Sequence, residues 1–225
     1  MTNDFGFIIP FDKLPMPIPM PIPMPIPILP FEVTLQISIF ISFVLFAHLL
    51  GFLLEKQMRK QWKSNSTLNL ILPIIATALL YLRFWIGMES IKGLILFLLL
   101  LYASNSDLQT REVCDNIPIM IAITALIDIG ISNIPLMILG AVCVTIPQLL
   151  IAILKPNSYG GADIKIMAAC SFLLGLERGF VAIIVGLIVA VIFTTIIRKT
   201  QKKDLKDTFP IVPYLAIGSF LAFLI

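Results

Sequence analysis

Residues 31–54 read FEVTLQISIFISFVLFAHLLGFLL and carry a single charge, Glu32, at their edge. As an α-helix rising about 1.5 Å per residue, this run is long enough to cross a hydrocarbon core about 30 Å thick. The whole chain of 225 residues is similar in character, with 59% hydrophobic residues, 13% charged residues and a mean hydropathy of +1.02. Its polar groups are too few to cover a water-facing surface. The composition therefore indicates a multi-spanning membrane protein and excludes a disordered chain, a disulfide-rich secreted module and a free nucleic-acid binder.

Seven further apolar runs follow the first. They occupy residues 67–85, 91–106, 116–131, 134–154, 164–176, 180–197 and 209–225. Together the runs predict an all-α fold, a polytopic membrane helical bundle with about eight transmembrane helices. The third run is short unless it extends back to residue 86, and the sixth needs residues 159–163 to reach spanning length, so six to eight spans are possible.

The chain before the first run has a different composition. Residues 15–30 read PMPIPMPIPMPIPILP, and this spacing of proline bars a helix and favours polyproline II. We expect residues 1–30 to form a Pro-rich, low-complexity N-terminal tail, either without fixed structure or as a stiff interfacial anchor. Residues 31–225 are then the transmembrane domain.

The basic residues predict how the spans are oriented. If the segment between the first two runs faces the cytoplasm, the inner loops are 55–66, 107–116, 155–165 and 198–208. These loops hold all but four of the 16 Lys and Arg residues, as the positive-inside rule expects. We therefore predict a multi-pass protein of the cell membrane, with both chain termini outside.

Acidic groups at membrane depth are costly and mark candidate functional sites. Asp107 ends the third apolar run and Asp163 begins the sixth, so the predicted topology places both at the cytoplasmic ends of their spans. Two such carboxyl groups, partly buried and mutually repelling, hold one proton between them. The ionised member can take a proton from water while the protonated member polarises a peptide carbonyl. The pair thus predicts an aspartyl hydrolase.

The sequence around Asp163 admits two interpretations. Gly160 and Gly161 leave the backbone free of side chains, which permits positive φ and close approach of an extended substrate strand. Alternatively, the glycines only allow a tight entry into a helix that Asp163 caps. Asp128 lies near the outer end of its run, where an interfacial carboxylate is favoured over a catalytic one.

No metal site or cofactor is predicted. The three cysteines, Cys114, Cys143 and Cys170, are far apart and form neither a zinc-binding pattern nor a disulfide framework. We interpret all three as buried apolar thiols.

Three segments resemble motifs of the type IV prepilin peptidases, the membrane aspartyl peptidases of the GxGD class. They are SDLQTREVCDN at residues 106–116, YGGADIKIMAA at residues 159–169 and FPIVPYLAIGSF at residues 209–220. The resemblance covers roughly residues 67–225. It departs from the family pattern at Ala162, which replaces the second glycine of GxGD, and at Cys114, where the family usually has proline.

The resemblance implies an endopeptidase that cuts the leader from prepilin-like precursors at the cytoplasmic membrane face, without a metal or cofactor. Asp107 and Asp163 would be catalytic. Substrate would be bound by the segment Gly160, Gly161 and Ala162, by the trailing Lys165, and by Arg111 of the first motif. The products would feed a type IV pilus, a competence pseudopilus or a secretion system. The cysteine-paired cytosolic segment of larger members is missing, so N-methyltransferase activity is not implied.

Two other classes of function are weighed against the peptidase. A small proton-coupled transporter would use the acids as a relay, but it would need them near the bilayer midplane. A non-catalytic scaffold of a pilus or secretion assembly would make the aspartate pair dispensable. The partners predicted from the sequence are a precursor protein and the lipid bilayer, with no nucleic acid, and the oligomeric state is left open.

Overall fold

The computed structural model describes residues 31–62, 68–85, 87–155, 160–201 and 209–225. These residues form α-helices and one short 3-10 turn, with no strand among them. The helices are α1 (Phe31–Trp62), α2 (Leu68–Phe84), α3 (Met88–Thr110), α4 (Asn116–Ala125), α5 (Ile134–Leu154), α6 (Gly161–Gln201) and α7 (Val212–Leu224). The Pro-rich tail at residues 1–30 lies outside the described residues, so its predicted conformation stays a prediction.

The all-helical membrane fold is confirmed, but the predicted number of about eight spans is not supported. Within the described ranges, four helical stretches are long and apolar enough to cross a bilayer: Val33–Gln61, Met88–Thr110, Ile134–Leu154 and Gly161–Ile197. Helices α2, α4 and α7 are apolar but shorter. The predicted runs at residues 164–176 and 180–197 correspond to the two parts of α6, which are separated by the non-helical residue Gly175.

Helix α6 is interrupted at Gly175. Its φ of 78° and ψ of −174° are not helical, and this region of backbone conformation is essentially restricted to glycine. A Cβ atom added to Gly179 would lie 3.0 Å from the Cβ of Ser171, although eight residues of straight helix rise about 12 Å. The chain therefore turns back on itself at Gly175.

Helix α1 continues further than the sequence predicts. The predicted loop at residues 55–66 begins inside the helix, which ends at Trp62. The reason is a buried polar contact: Glu55, only 2% exposed, accepts a hydrogen bond from the Asn69 side chain at 3.0 Å. The described residues from Ser38 onwards belong to one compact unit, called the main unit below.

Within the main unit, α3 packs against α2, α4 and α7, and α6 packs against α4, α5 and α7. Small residues allow close approach of α6 and α7, because a Cβ on Gly218 would overlap the carbonyl oxygen of Ala182. The buried core joins side chains from α1, α2, α3, α4, α6 and α7. Of the cysteines expected to be buried, Cys170 lies in this core, whereas Cys143 is half-buried and Cys114 is exposed in the segment after α3. As a result, the C-terminal end of α3 meets the N-terminal ends of α6 and α7 at one end of the bundle.

The change Gly175→Ala tests this bend. We expect it to lower the free energy of unfolding by about 1–3 kcal/mol, because alanine is strained at this backbone conformation. Thermal unfolding of the detergent-purified protein measures the loss. Gly130→Ala is the matched control, since a Cβ there meets no atom closer than 3.4 Å. Equal midpoints for both variants and the wild type would contradict the described bend.

Candidate active site

Asp107 lies in the last turn of α3 and is 8% exposed. Its Oδ2 accepts a hydrogen bond from the backbone N–H of Val212, the first residue of α7, at 3.2 Å. The N–H groups of a first helical turn have no partner within the helix and attract negative charge. The start of α7 therefore stabilises the Asp107 carboxylate in a setting that excludes most water.

Asp163 lies in the first turn of α6 and is 7% exposed. Its Oδ2 accepts a hydrogen bond from the backbone N–H of Gly160 at 3.2 Å. A carboxylate that reaches back from the third helical position to the N-cap amide is half of a capping box. The capping interpretation made from the sequence is therefore correct in geometry.

Capping does not prevent Asp163 from also facing the other acid. The charge of Asp107 acts electrostatically on the Asp163 carboxyl group, so the two groups are neighbours. The structure thus brings together two aspartates that the sequence separates by several helices. Paired, buried carboxyl groups with one water between them can divide the roles of general base and general acid.

The three residues before Asp163 differ in what they allow. A Cβ atom on Gly160 would lie 2.9 Å from Asp163 Oδ2, whereas one on Gly161 would meet nothing within 4 Å. Positive φ is not used at either residue, because Gly175 is the one glycine with positive φ among the described residues. Ala162 is already helical, so alanine costs no backbone freedom there. Glycine is thus needed at residue 160 to make room for a carboxylate.

Arg111 ends α3 in the left-handed conformation, with φ of 58°, and its backbone N–H donates to the carbonyl oxygen of Asp107 at 3.1 Å. Its guanidinium is exposed, and its charge acts on the Asp107 carboxyl group. Ser106 Oγ donates to the carbonyl oxygen of Glu112 at 2.6 Å and fixes the loop that follows. Arg111 therefore lies at the edge of the aspartate pair, on the solvent side.

Lys165 is bound by a residue that the sequence analysis did not single out. Its Nζ donates to Asp115 Oδ1 at 2.7 Å, and both side chains are more than half exposed. Asp115 belongs to the segment after α3, and Lys165 to the first turns of α6. The ion pair thus joins the two chain segments that carry the aspartates.

Asp128 does not join the pair. It lies beyond the end of α4, is exposed, and has a φ of 53°. Asp128 and Glu89 line the same cavity of about 420 Å³. Along α3, Glu89 lies about 27 Å from Asp107 at 1.5 Å per residue. Asp128 therefore lies at the opposite end of the bundle, in agreement with the favoured interfacial reading.

A second polar cluster, also missed from the sequence, lies next to the aspartates. Asn69 and Asn105 exchange side-chain hydrogen bonds at 3.3 and 3.2 Å, and Asn69 also donates to the buried Glu55. Because Asn105 is two residues before Asp107, this cluster holds α1 and α2 against the end of α3 that carries the acid. The sequence does not identify Glu55 as a buried residue, because its position predicts a loop.

Within the described residues, no group of three or more His, Cys, Asp or Glu side chains is arranged to hold a metal ion. The site thus consists of two buried carboxyl groups, the backbone amides that hold them, and charged side chains at its rim. Fold and site together define a helical membrane protein with a paired-aspartate site at one end of its bundle.

Residues 94–195 match the model of the type IV leader peptidase family. This segment includes Asp107 and Asp163, and the match confirms the resemblance to the type IV prepilin peptidases. It supports a peptidase, which is a hydrolase. No curated protein and no solved structure matches the chain.

The adjacent glycines provide a matched pair of variants. Gly160→Ala places a methyl group 2.9 Å from Asp163 Oδ2, so the carboxylate has to move and precursor cleavage should fall at least about tenfold, which is 1.4 kcal/mol. Gly161→Ala meets no atom and should cleave within about threefold of wild type. The rate of leader release in membranes measures both variants. A larger loss of cleavage rate in Gly161→Ala than in Gly160→Ala would contradict this account. It would show that glycine is required here for contact with the substrate and not for placing the carboxylate.

Proposed function

We propose that the protein is a membrane aspartyl endopeptidase that removes the leader from type IV prepilin-like precursors, including pilins and pseudopilins. Asp107 and Asp163 are the catalytic residues, and cleavage occurs at the cytoplasmic face of the cell membrane. The observation that carries the proposal is the placement of two buried, interacting carboxyl groups at one end of an apolar bundle. The family match over residues 94–195 supports the peptide bond as substrate.

Each aspartate has a role in the proposed reaction. The ionised carboxylate takes a proton from a water molecule, and the resulting hydroxide attacks the peptide carbonyl carbon. The protonated carboxyl group donates a hydrogen bond to the carbonyl oxygen, where negative charge develops. The C–N bond then breaks as the nitrogen receives a proton, and the leader leaves with a carboxylate at its new end.

The rim residues have supporting roles. Arg111 is exposed beside Asp107 and lies where a polar leader enters the site. Gly160 lies just before α6, and Gly161 and Ala162 belong to its first turn together with Asp163. The space at Gly161 is open enough to admit both an added methyl group and a passing substrate strand. The basic residues between the apolar runs favour a cytoplasmic location for this end of the bundle.

Replacing either catalytic acid is the direct test. Asp107→Asn and Asp163→Asn each remove one ionisable group while keeping the side-chain size, so leader release should fall at least about 100-fold. Co-expression with a pilin-like precursor, followed by a gel shift of the precursor, measures the loss. Asp128→Asn is the matched control, because this acid lies at the opposite end of the bundle.

Equal membrane levels of all three variants are needed for the comparison. Full cleavage by both Asp107→Asn and Asp163→Asn would refute the peptidase proposal. The same loss in Asp128→Asn would instead indicate a proton relay through the membrane, as in a transporter.

The Lys165–Asp115 ion pair provides a second test. Exposed pairs contribute at most about 1 kcal/mol, so Lys165→Met and Asp115→Asn should each slow cleavage by less than about fivefold. If the pair only joins the two active-site segments, the double variant should be no slower than either single variant. A much larger loss in Lys165→Met than in Asp115→Asn would assign Lys165 to substrate binding.

A further inference from the structure

An apolar groove lies beside the aspartate pair. Helices α2 and α7 both pack on α3 but barely touch each other, and the space between them has a volume of about 430 Å³. Its walls include Ile75 of α2, Ile217 of α7 and Phe97 of α3. Ile75 is 50% exposed and Ile217 is 45% exposed, so the groove opens to the outside of the bundle.

One end of the groove lies at the level of Asp107 along α3. Its lining includes Leu108, the residue after Asp107, and Pro213, the residue after the Val212 amide that binds Asp107. Along α3 the lining extends back from Leu108 to Phe97, a length of about 16 Å at 1.5 Å per residue. An occupant with about three helical turns in the groove would therefore end at the level of Asp107.

We propose that this groove, referred to below as the α2–α7 groove, holds the apolar helix of the precursor during cleavage. The inference rests on the proposed peptidase function and adds where the substrate binds. A peptide inside a bilayer has to satisfy its backbone hydrogen bonds internally, so it enters the groove as a helix. An apolar helix laid into an apolar groove is a common mode of peptide recognition.

The polarity of the lining also indicates where the apolar helix of the precursor ends. It is almost wholly apolar along its length, but Asn69, Ser104 and Asn105 line the end next to Asp107. The two asparagines are bound to each other, and Glu55 holds Asn69 from behind, so this polar end is rigid. The apolar segment of the substrate thus ends at the level of the aspartates, and its polar leader lies beyond them.

Site-directed photo-cross-linking tests the groove. A photoreactive amino acid replaces Ile75 in the full-length chain, and Asp107→Asn keeps the precursor uncleaved. Ile146 of α5 is the matched control position, because it is the same residue type, is also 50% exposed, and does not line the groove. Membranes containing the variant and a pilin-like precursor are illuminated, and the cross-linked sites are mapped by mass spectrometry.

We expect at least tenfold more precursor cross-linking from position 75 than from position 146, with the sites in the apolar segment of the precursor. Equal cross-linking from both positions would overturn the inference. Cross-linking from position 75 only to lipid, or only to a second copy of this chain, would overturn it as well. Cleavage of the same precursor by the wild type is measured in parallel. If the wild type cleaves the precursor but position 75 gives no specific cross-link to it, the groove inference is wrong and the proposed function is unaffected. Absence of cleavage by the wild type refutes the proposed function, and the groove inference is then refuted with it.

Discussion

Burial of two carboxyl groups at the end of an apolar bundle is the most demanding interaction in this molecule. A carboxylate without partners is costly in such surroundings. Each aspartate is therefore held by a backbone amide at the start of a helix: Asp107 by Val212 of α7, and Asp163 by Gly160 before α6. These contacts require three helix ends to meet at one place, and the packing of α3, α6 and α7 provides that meeting.

The sequence predicts the helices and the two aspartates better than it predicts the number of spans or the contacts between distant residues. The apolar runs predict the helical membrane fold, and the positions of Asp107 and Asp163 at the ends of runs predict the pair. The number of spans could not be predicted in the same way, because an apolar run does not give the length of the helix that forms in it: α2, α4 and α7 are apolar but shorter than the four spanning stretches. Glu55 and Asp115 were missed because their roles depend on partners, Asn69 and Lys165, that lie far away in the chain.

The structure also gives the physical reason for Gly160. Of the two interpretations drawn from the sequence, backbone freedom for a close substrate strand or a tight entry into a helix capped by Asp163, the structure favours the second, with a glycine that makes room for the capping carboxylate. The same geometry explains why Ala162 is compatible with the site, since the helix has already begun there. A GxGD-like motif can thus serve first to place its own aspartate. The groove between α2 and α7 reaches the level of Asp107 on the apolar side, and the exposed Arg111 lies beside Asp107 on the polar side.

The meeting of Asp107 and Asp163 is tested most directly by cross-linking cysteines placed at both positions. In a background with Cys114, Cys143 and Cys170 changed to serine, a protease site inserted in the connector at Asp128–Gly130 separates the two cysteines after digestion in detergent. The account predicts that mild oxidation or a short bifunctional thiol reagent keeps the two fragments joined on a non-reducing gel. Fragments that separate completely under both treatments, while the intact protein remains folded, would contradict it.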